Sequence, residues 1–220
     1  MNRDVPSRVH AHLLEYYGPL DWWPGETPFE VAVGAILTQN TSWDRVCCSM
    51  DRLRAAGALK AGTMHALTAE EITELIRPSG TYRVKAGYLR VFLDWLVEKY
   101  GGSLETALDG HTPAKRRELL ALRGIGRETA DSILLYAGGH SIFVVDAYTR
   151  RIFSRHGLVG ARDDYDRIQT WFADRLPPDP AILNELHAQI VNVGKDFCRP
   201  RSPRCESCPL RILGEPDLTS

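Results

Sequence analysis

The amino-acid sequence predicts an all-α protein. Apolar residues recur three and four positions apart along most of the chain, which is the spacing of one helix face. Glycine or proline follows most of these runs, as it does at helix ends, and no pair of runs alternates apolar and polar residues in the manner of hairpin strands. A chain of 220 residues is long enough for one large domain or two small ones, with a core in either case.

The helices are predicted in the following order. Residues 28–39 form a first amphipathic run, and residues 45–57 form a second that closes on Gly57, a typical helix stop. Thr68, with Glu71 three residues on, makes a capping box at the start of a helix that ends near a proline. The later predictions are an amphipathic helix at 85–102, two helices at 114–126 and 128–139 joined by a glycine turn, and helices that start at Ala147, Asp164 and Ala181.

The composition is that of an ordinary soluble globular protein. Hydrophobic residues make up 44% and charged residues 25%, and no run of about 18 apolar residues predicts a membrane span. The first residues contain no apolar core of signal-peptide length, so a cytoplasmic location is expected, at the nucleoid if the source is bacterial. Three of the five cysteines fall in one short stretch, which suits a metal site in a reducing compartment better than a disulfide framework.

The net charge of −1 conceals two basic stretches. Residues 111–155 contain eight Lys or Arg against four Asp or Glu, and residues 195–213 contain five against two. This distribution suits a phosphate backbone, and two solvated helix faces explain it equally well.

The segment "LRGIGRETA" predicts a tight turn between two helices. Gly124 and Gly126 bracket Ile125, which can plug the turn into the core, and glycine lets another backbone approach closely. The N–H groups at the start of the next helix, with Arg127 and Thr129, would bind a phosphate without reading sequence. A tight turn with no ligand is the alternative.

Asp146 lies twenty residues beyond Gly126, after the apolar run "IFVV" and before a predicted helix. Aspartate is favoured as a helix N-cap, and a capping carboxylate is also held rigidly. The sequence therefore predicts that Asp146 caps a helix and that its carboxylate can also take part in a reaction.

Together, "LRGIGRETADSIL" and "VVDAYTRRI" resemble the helix-hairpin-helix DNA glycosylases of the endonuclease III superfamily. "GAILTQNTSW", with Gln39, is similar to that family's DNA-probing loop, and "PSGTYRVKA", with Thr81, to its intercalating loop. Thr81 is smaller than the apolar wedge usual there. The resemblance implies a six-helix barrel domain at 30–140, a second helical domain of 1–29 with 141–220, and a DNA-binding cleft between them.

The resemblance also implies a reaction. Bifunctional members carry a lysine, which attacks the sugar, where this chain has Glu128. No lysine lies between Lys115 and Lys195 to replace it. Asp146 would then stabilise an oxocarbenium-like sugar and activate water, so the base would leave without strand cleavage.

The aromatic residues indicate which base the enzyme would release. "LDWWPGETPFE" contains Trp22 and Trp23, "QNTSW" contains Trp43, and the set is similar to the endonuclease III-like 3-methyladenine DNA glycosylases. A cationic alkylated purine gains roughly 0.5–2 kcal/mol from stacking on indole. Glu128 would favour a cationic base, although an acid in a first helix turn is also explained by the helix dipole.

Two other functions remain open. One is an endonuclease III-type glycosylase for oxidised pyrimidines or mismatched bases with little or no lyase activity. The other is a non-catalytic protein that binds damaged DNA, which would have no need of Asp146. The expected partner in each case is double-stranded damaged DNA, with a monomeric protein and no membrane.

The C-terminal cysteines follow the superfamily's iron–sulfur spacing with one departure. Cys198, Cys205 and Cys208 match, but the fourth position is Gly214. The resemblance therefore implies a [4Fe–4S] cluster whose fourth ligand is missing or is not cysteine, with Glu215, Asp217 or water as possible replacements; zinc is less expected. Cys47 and Cys48 are expected to be core residues.

Overall fold

The computed structural model describes residues 4–20 and 25–218. Within these ranges the chain is helical and contains no strand, as the sequence predicts. The α-helices are α1 (Val5–Tyr17), α2 (Pro28–Leu37), α3 (Trp43–Ala55), α4 (Ala61–Ala66), α5 (Ala69–Leu75), α6 (Tyr82–Tyr100), α7 (Leu104–Leu108), α8 (Thr112–Leu120), α9 (Arg127–Ser132), α10 (Ala147–Arg155), α11 (Tyr165–Ala173) and α12 (Pro180–Asp196).

Local sequence signals set several of these helix ends. The Thr68 hydroxyl accepts a hydrogen bond from the Glu71 N–H at 3.2 Å, and the Glu71 carboxylate accepts one from the Thr68 N–H at 2.7 Å. The predicted capping box is thus confirmed. Helix α6 ends at Gly101, whose φ of 60° is left-handed, as expected for a glycine stop.

The prediction of one α-helix over 128–139 is wrong in its second half. Helix α9 stops at Ser132, and Ile133–Ala137 forms a π-helical turn. The Gly138 N–H donates to the Ile133 carbonyl at 3.1 Å, which is a bond five residues back. One additional residue per turn leaves no mark in the apolar periodicity, so sequence reasoning missed it.

The chain divides into two compact units. The first, Trp23–His140, contains the glycine turn and is called the hairpin unit. The second, Met1–Trp22 with Ser141–Ser220, is called the terminal unit. The hairpin unit has its core around the fully buried residues Ile36, Leu37, Leu89, Phe92, Leu93 and Leu134.

The terminal unit has its own core, formed by Leu13, Phe153, Phe172, Leu186 and Val193. Cys47 and Cys48, in α3 of the hairpin unit, were expected in a core. That expectation is wrong for Cys48, which is exposed, and Cys47 is half-buried. No helix in the described ranges is long and apolar enough to span a membrane.

Candidate functional site

The turn between α8 and α9 is built around Gly124. Its φ is +91°, a left-handed value that favours glycine, and a Cβ added there would stand 2.1 Å from the Tyr88 ring. Ile125 is only 4% exposed, so it anchors the turn in the core as predicted. Gly124 is therefore required both by the backbone conformation and by the packing of Tyr88.

Gly126 has a different role. Its backbone is extended, with φ −85° and ψ 178°, and a Cβ added there would meet no atom of the residues that the structure describes within 4 Å. The fold therefore does not need glycine at this position. Gly126, Arg127 and Glu128 are all exposed, so a second backbone can approach here closely.

The two helices of the turn are joined by a buried ion pair that sequence reasoning missed. Asp131 is fully buried, and both its carboxylate oxygens accept hydrogen bonds from Arg116, at 2.7 Å from Nε and 3.0 Å from Nη2. This two-point contact holds α8 against α9 and so keeps the turn in shape.

Gln39 and Thr129 lie together beneath the turn. Gln39 Nε2 donates to the Gly124 carbonyl at 2.9 Å and to the Thr129 hydroxyl at 3.1 Å. Thr129 is buried, so its hydroxyl is directed to Gln39 rather than to the surface. The predicted contacts of these two side chains with DNA remain predictions.

A buried lysine holds the loop that carries Thr81. Lys85 Nζ donates to the Leu37 carbonyl at 2.8 Å and to the Ser79 carbonyl at 2.6 Å, and the side chain is 1% exposed. Lys85 precedes Leu89 by four residues, on the apolar face of α6. A lysine on the apolar face of a helix is unusual. That pattern could have identified Lys85 as a buried residue from the sequence.

Thr81 itself is exposed and has a φ of +42°. A β-branched residue rarely adopts this conformation, so the turn is strained at the residue that the sequence predicts will contact DNA.

In the terminal unit, Asp146 is the N-cap of α10. Its Oδ1 accepts a hydrogen bond from the Thr149 N–H at 2.7 Å, as the sequence predicts for a cap, and its side chain is 12% exposed. The carboxylate is therefore fixed in direction and still reaches the surface.

The apolar segment before Asp146 is held by contacts on two sides. Phe143 stacks on Phe172 with ring centroids 4.0 Å apart, and its carbonyl accepts a hydrogen bond from Gln169 at 2.6 Å. The Val145 N–H donates to the Tyr165 hydroxyl at 3.2 Å. The apolar run thus fixes where Asp146 emerges.

His187, on α12, is a neighbour of Asp146 that sequence reasoning missed. Its Nε2 lies 3.7 Å from Asp146 Oδ2 in a buried position. Burial lowers the pKa of the His187 imidazole, and the Asp146 carboxylate opposes that shift only in part. Burial therefore favours the neutral form of the imidazole, which brings no positive charge to the Asp146 carboxylate.

The predicted base-pocket residues are only partly described. Trp43 is half-buried and begins α3, and Glu128 is exposed in the first turn of α9. Trp22 and Trp23 lie outside the described residues. The assignment of these four residues to a pocket stays a prediction.

The three C-terminal cysteines line one cavity of about 170 Å³. A water molecule needs about 10–15 Å³ on such a scale, so the space exceeds the needs of a single ion. Burial, reinforced by the nearby Cys198 and Cys205, raises the pKa of the Cys208 thiol. Within residues 4–20 and 25–218, no three His, Cys, Asp or Glu side chains converge to grip one metal ion.

Three thiols around one cavity are the kind of donor that an iron–sulfur cluster uses. Thiolates are the usual ligands of iron–sulfur clusters, and each binds a different iron, so they stand farther apart than the ligands of one ion. Cys198, Cys205 and Cys208 would supply three of the four ligands of such a cluster. Gly214 lines the same cavity and offers no side chain.

Comparisons with known proteins agree with this architecture. Residues 33–178 match the HhH-GPD superfamily of base excision DNA repair proteins. A putative DNA repair glycosylase of Methanocaldococcus jannaschii is 45% identical over 205 residues, which cover 93% of each chain. An endonuclease III of Synechocystis sp. is 32% identical over 193 residues, which cover 86% of this chain and 81% of the relative.

Two solved structures are similar. An endonuclease III–DNA complex has a TM-score of 0.82 and covers 97% of this chain and 95% of its own, and at 24% identity it shows the fold. The H. pylori 3-methyladenine DNA glycosylase bound to 1,N6-ethenoadenine has a TM-score of 0.75 at 28% identity and covers 87% of this chain and 97% of its own. The chain therefore belongs to the HhH-GPD superfamily. It is a DNA glycosylase, an enzyme that binds DNA in base excision repair.

Replacing Gly126 by alanine should weaken DNA binding without affecting folding. The position is open and its backbone is unstrained, so the melting temperature should stay near that of the wild type. A methyl group would keep a phosphate from the turn, and losing one charged hydrogen bond of about 1.5–3 kcal/mol weakens affinity about tenfold or more. Gly124→Ala should instead lower the melting temperature, because the added Cβ would clash with the Tyr88 ring. Unchanged duplex affinity in Gly126→Ala would rule out backbone contact at this turn.

Lys85→Met should destabilise the protein. Removing the ammonium leaves the Leu37 and Ser79 carbonyls without their donor, at a cost of about 1–3 kcal/mol each. The difference should also depend on pH, because burial lowers the pKa of Lys85 from 10.5 to about 8. Between these values the unfolded chain binds the proton more tightly, so the free energy of unfolding of the wild type should rise with pH relative to Lys85→Met.

Urea titrations at pH 7.5 and pH 9.5 measure both effects. Lys99→Met, at an exposed position of the same helix, is the matched control and should change little. If the two variants were equally stable, the buried contacts of Lys85 would have no part in holding the loop.

Proposed function

We propose that this DNA glycosylase is monofunctional: it flips an alkylated base such as 3-methyladenine out of duplex DNA and releases it with water, without cutting the strand. The observation that carries the proposal is Glu128. It stands exposed in the first turn of α9, where the bifunctional enzymes that the sequence resembles have a lysine. A carboxylate cannot form the Schiff base that precedes strand cleavage.

Asp146 is the proposed catalytic group. The Thr149 N–H holds its carboxylate, and the neutral His187 beside it does not neutralise the charge. As the bond between C1′ and the base breaks, its electron pair leaves with the base, and the sugar becomes positive. The carboxylate stabilises that charge, and water then adds to C1′ while Asp146 takes a proton from it.

An alkylated purine suits so simple a site. A base that carries a positive charge accepts the electron pair of the broken bond without needing a proton. The enzyme then requires no general acid at the leaving group, only the carboxylate, the water and a means of holding the base.

The hairpin unit is the proposed DNA-binding part. Gly124 shapes the turn and Gly126 leaves its outer side open, so that the exposed Gly126 and Arg127 meet the phosphate backbone, and Thr129 supports them from beneath. Gln39 and Thr81 are proposed to reach the duplex at the flipped base. For Gln39 this means giving up its hydrogen bonds to Gly124 and Thr129 when DNA binds.

The base pocket is proposed to contain Trp22, Trp23, Trp43 and Glu128. The half-burial of Trp43 is consistent with one face in the fold and another toward a ligand. The similarity to a 3-methyladenine DNA glycosylase, whose structure contains 1,N6-ethenoadenine, supports a modified purine as substrate.

A second candidate is glycosylase activity on oxidised or mismatched pyrimidines. Relatives at 30% and 32% identity are named endonuclease III, and another at 27% is named thymine-DNA glycosylase. The cationic stacking argument favours the alkylated purine. A protein that only binds DNA would not need the Asp146 arrangement.

Cys198, Cys205 and Cys208 are proposed to bind three irons of a [4Fe–4S] cluster. Such a cluster, when bound, is an electron-transfer centre and a cross-link for the chain around it. The surrounding side chains already favour an ordered loop. Arg155 donates to Cys198 Sγ at 3.3 Å and to the Arg199 carbonyl at 2.9 Å, and Arg151 donates to the Cys198 carbonyl at 2.7 Å.

Asp146→Asn should abolish base release and leave DNA binding intact. Asparagine caps a helix as well as aspartate does, so the fold is retained while the charge is lost. We expect a loss of at least a hundredfold in single-turnover release of 3-methyladenine from duplex DNA, in the range of a lost general base. Affinity for the same duplex should change little.

Asp164→Asn is the matched control, because Asp164 caps α11 by the same contact, at 2.8 Å from the Arg167 N–H. It should release the base at the wild-type rate. Near-normal turnover in Asp146→Asn would remove Asp146 from the mechanism.

Trp43→Ala should reduce excision of alkylated purine and spare binding to an abasic site, which has no base to stack. Loss of one stacked ring costs roughly 1–3 kcal/mol, or about ten- to a hundredfold in excision efficiency. Trp95→Ala is the structural comparison, since Trp95 packs on Phe92 and donates to Glu118. That variant should melt earlier and lose both activities together. The same pattern in Trp43→Ala would mark Trp43 as a core residue.

A further inference from the structure

The cavity of the three cysteines lacks a donor at the fourth family position. Gly214 has a φ of +95°, and no atom of the described residues lies within 4 Å of the place where its Cβ would be. A cluster bound only by Cys198, Cys205 and Cys208 would expose one iron. Some other group in the wall of this cavity is therefore needed to complete it.

His156 lies in that wall. It is the C-cap residue of α10, and its N–H donates to the Ile152 carbonyl at 3.2 Å. The preceding residue, Arg155, is tied to Cys198 and Arg199. The backbone of His156 therefore lies next to the contacts that position the first cysteine.

No residue that the structure describes forms a hydrogen bond with the ring of His156. Its Nδ1 is buried without a hydrogen-bond partner, and no described group bonds to Nε2. His140 shows the contrast, because its Nδ1 bonds to the Thr112 hydroxyl at 2.9 Å and its Nε2 to the Leu108 carbonyl at 2.8 Å. No described residue therefore engages the lone pair of the neutral His156 imidazole, and it is available to a metal ion.

The acidic competitors are less suitable. Glu206 and Glu215 also line the cavity, but both are exposed, and Asp217 is exposed and does not line it. Imidazole is a usual ligand of iron, whereas carboxylates suit harder ions such as magnesium or calcium. Histidine also replaces cysteine on iron in known two-iron clusters.

We propose that His156 is the fourth ligand of the [4Fe–4S] cluster held by Cys198, Cys205 and Cys208. The inference rests on the cluster proposed above. A ring nitrogen of the neutral imidazole donates its lone pair to the fourth iron, so no proton is released and no electron is transferred. Each cysteine, in contrast, binds as a thiolate and gives up its proton.

This ligand has two consequences. The cluster carries one negative charge fewer than a four-cysteine cluster, which makes reduction easier and raises its potential. Helix α10 also acquires a functional group at each end, with Asp146 at its N-cap and His156 at its C-cap.

The experiment compares four proteins purified without oxygen: wild type, His156→Cys, His156→Ala and Glu215→Gln. The measurements are iron and sulfide per chain, the potential of the cluster, and pulsed electron paramagnetic resonance of the reduced protein to detect nitrogen bound to iron. We expect about four irons and a histidine-type nitrogen coupling in the wild type and in Glu215→Gln. His156→Cys should retain about four irons, lose the nitrogen coupling and have a lower potential.

His156→Ala should lose the fourth iron and, on oxidation, give the signal of a three-iron cluster. His156→Cys keeps the test decisive if the alanine variant does not fold. A wild-type cluster of about four irons without nitrogen coupling, or with a coupling that survives in His156→Cys, would overturn the role of His156 and leave the cluster in place. A wild-type protein that contains no iron would overturn the cluster proposal itself.

Discussion

The hydrogen bond from the Thr149 N–H to the Asp146 carboxylate is the contact on which the proposed chemistry depends. It fixes the direction of one negative charge at the start of α10, in a position that is 12% exposed. The aromatic stack of Phe143 on Phe172 fixes where the chain arrives. At the other side, a Cβ on Gly194 of α12 would stand 2.2 Å from the Tyr148 ring, so α10 packs closely on α12. A rigid carboxylate needs no reorganisation as positive charge develops on the sugar.

In the hairpin unit, the feature presented to a ligand is the backbone of the glycine turn rather than a charged carboxylate. Gly124 lets the turn lie on Tyr88, while Gly126 leaves the outside of the turn open. The turn is held from within by Gln39 and by the buried Arg116–Asp131 pair. The Lys85 ammonium joins the end of α2 to the loop of Ser79, so two predicted DNA-contacting loops share one support.

Features encoded locally could be predicted from the sequence. The helices, the Thr68 capping box, the Gly101 stop and the Asp146 cap each depend on residues within one or two turns of each other. The anchoring of Ile125 could also be predicted, because glycines on both sides leave it as the one apolar side chain of the turn.

Features that depend on distant partners could not be predicted. Gln39 bonds to Gly124, which is 85 residues away, and His187 approaches Asp146 from α12. His156 becomes a candidate ligand only because α10 and the cysteine segment line one cavity. The π turn at Ile133–Ala137 and the exposure of Cys48 likewise depend on packing rather than on a sequence pattern.

Borohydride trapping tests most directly whether base release proceeds through water at Asp146, with no amine attacking the sugar. The wild type and Glu128→Lys are each incubated with a duplex that contains the alkylated purine, in the presence of borohydride, and the products are separated on a denaturing gel. We expect an uncut abasic strand and no protein–DNA adduct for the wild type, and an adduct for Glu128→Lys, in which an amine is restored. A strong adduct with the wild type would mean that another amine reaches C1′, and the protein would then be a bifunctional glycosylase.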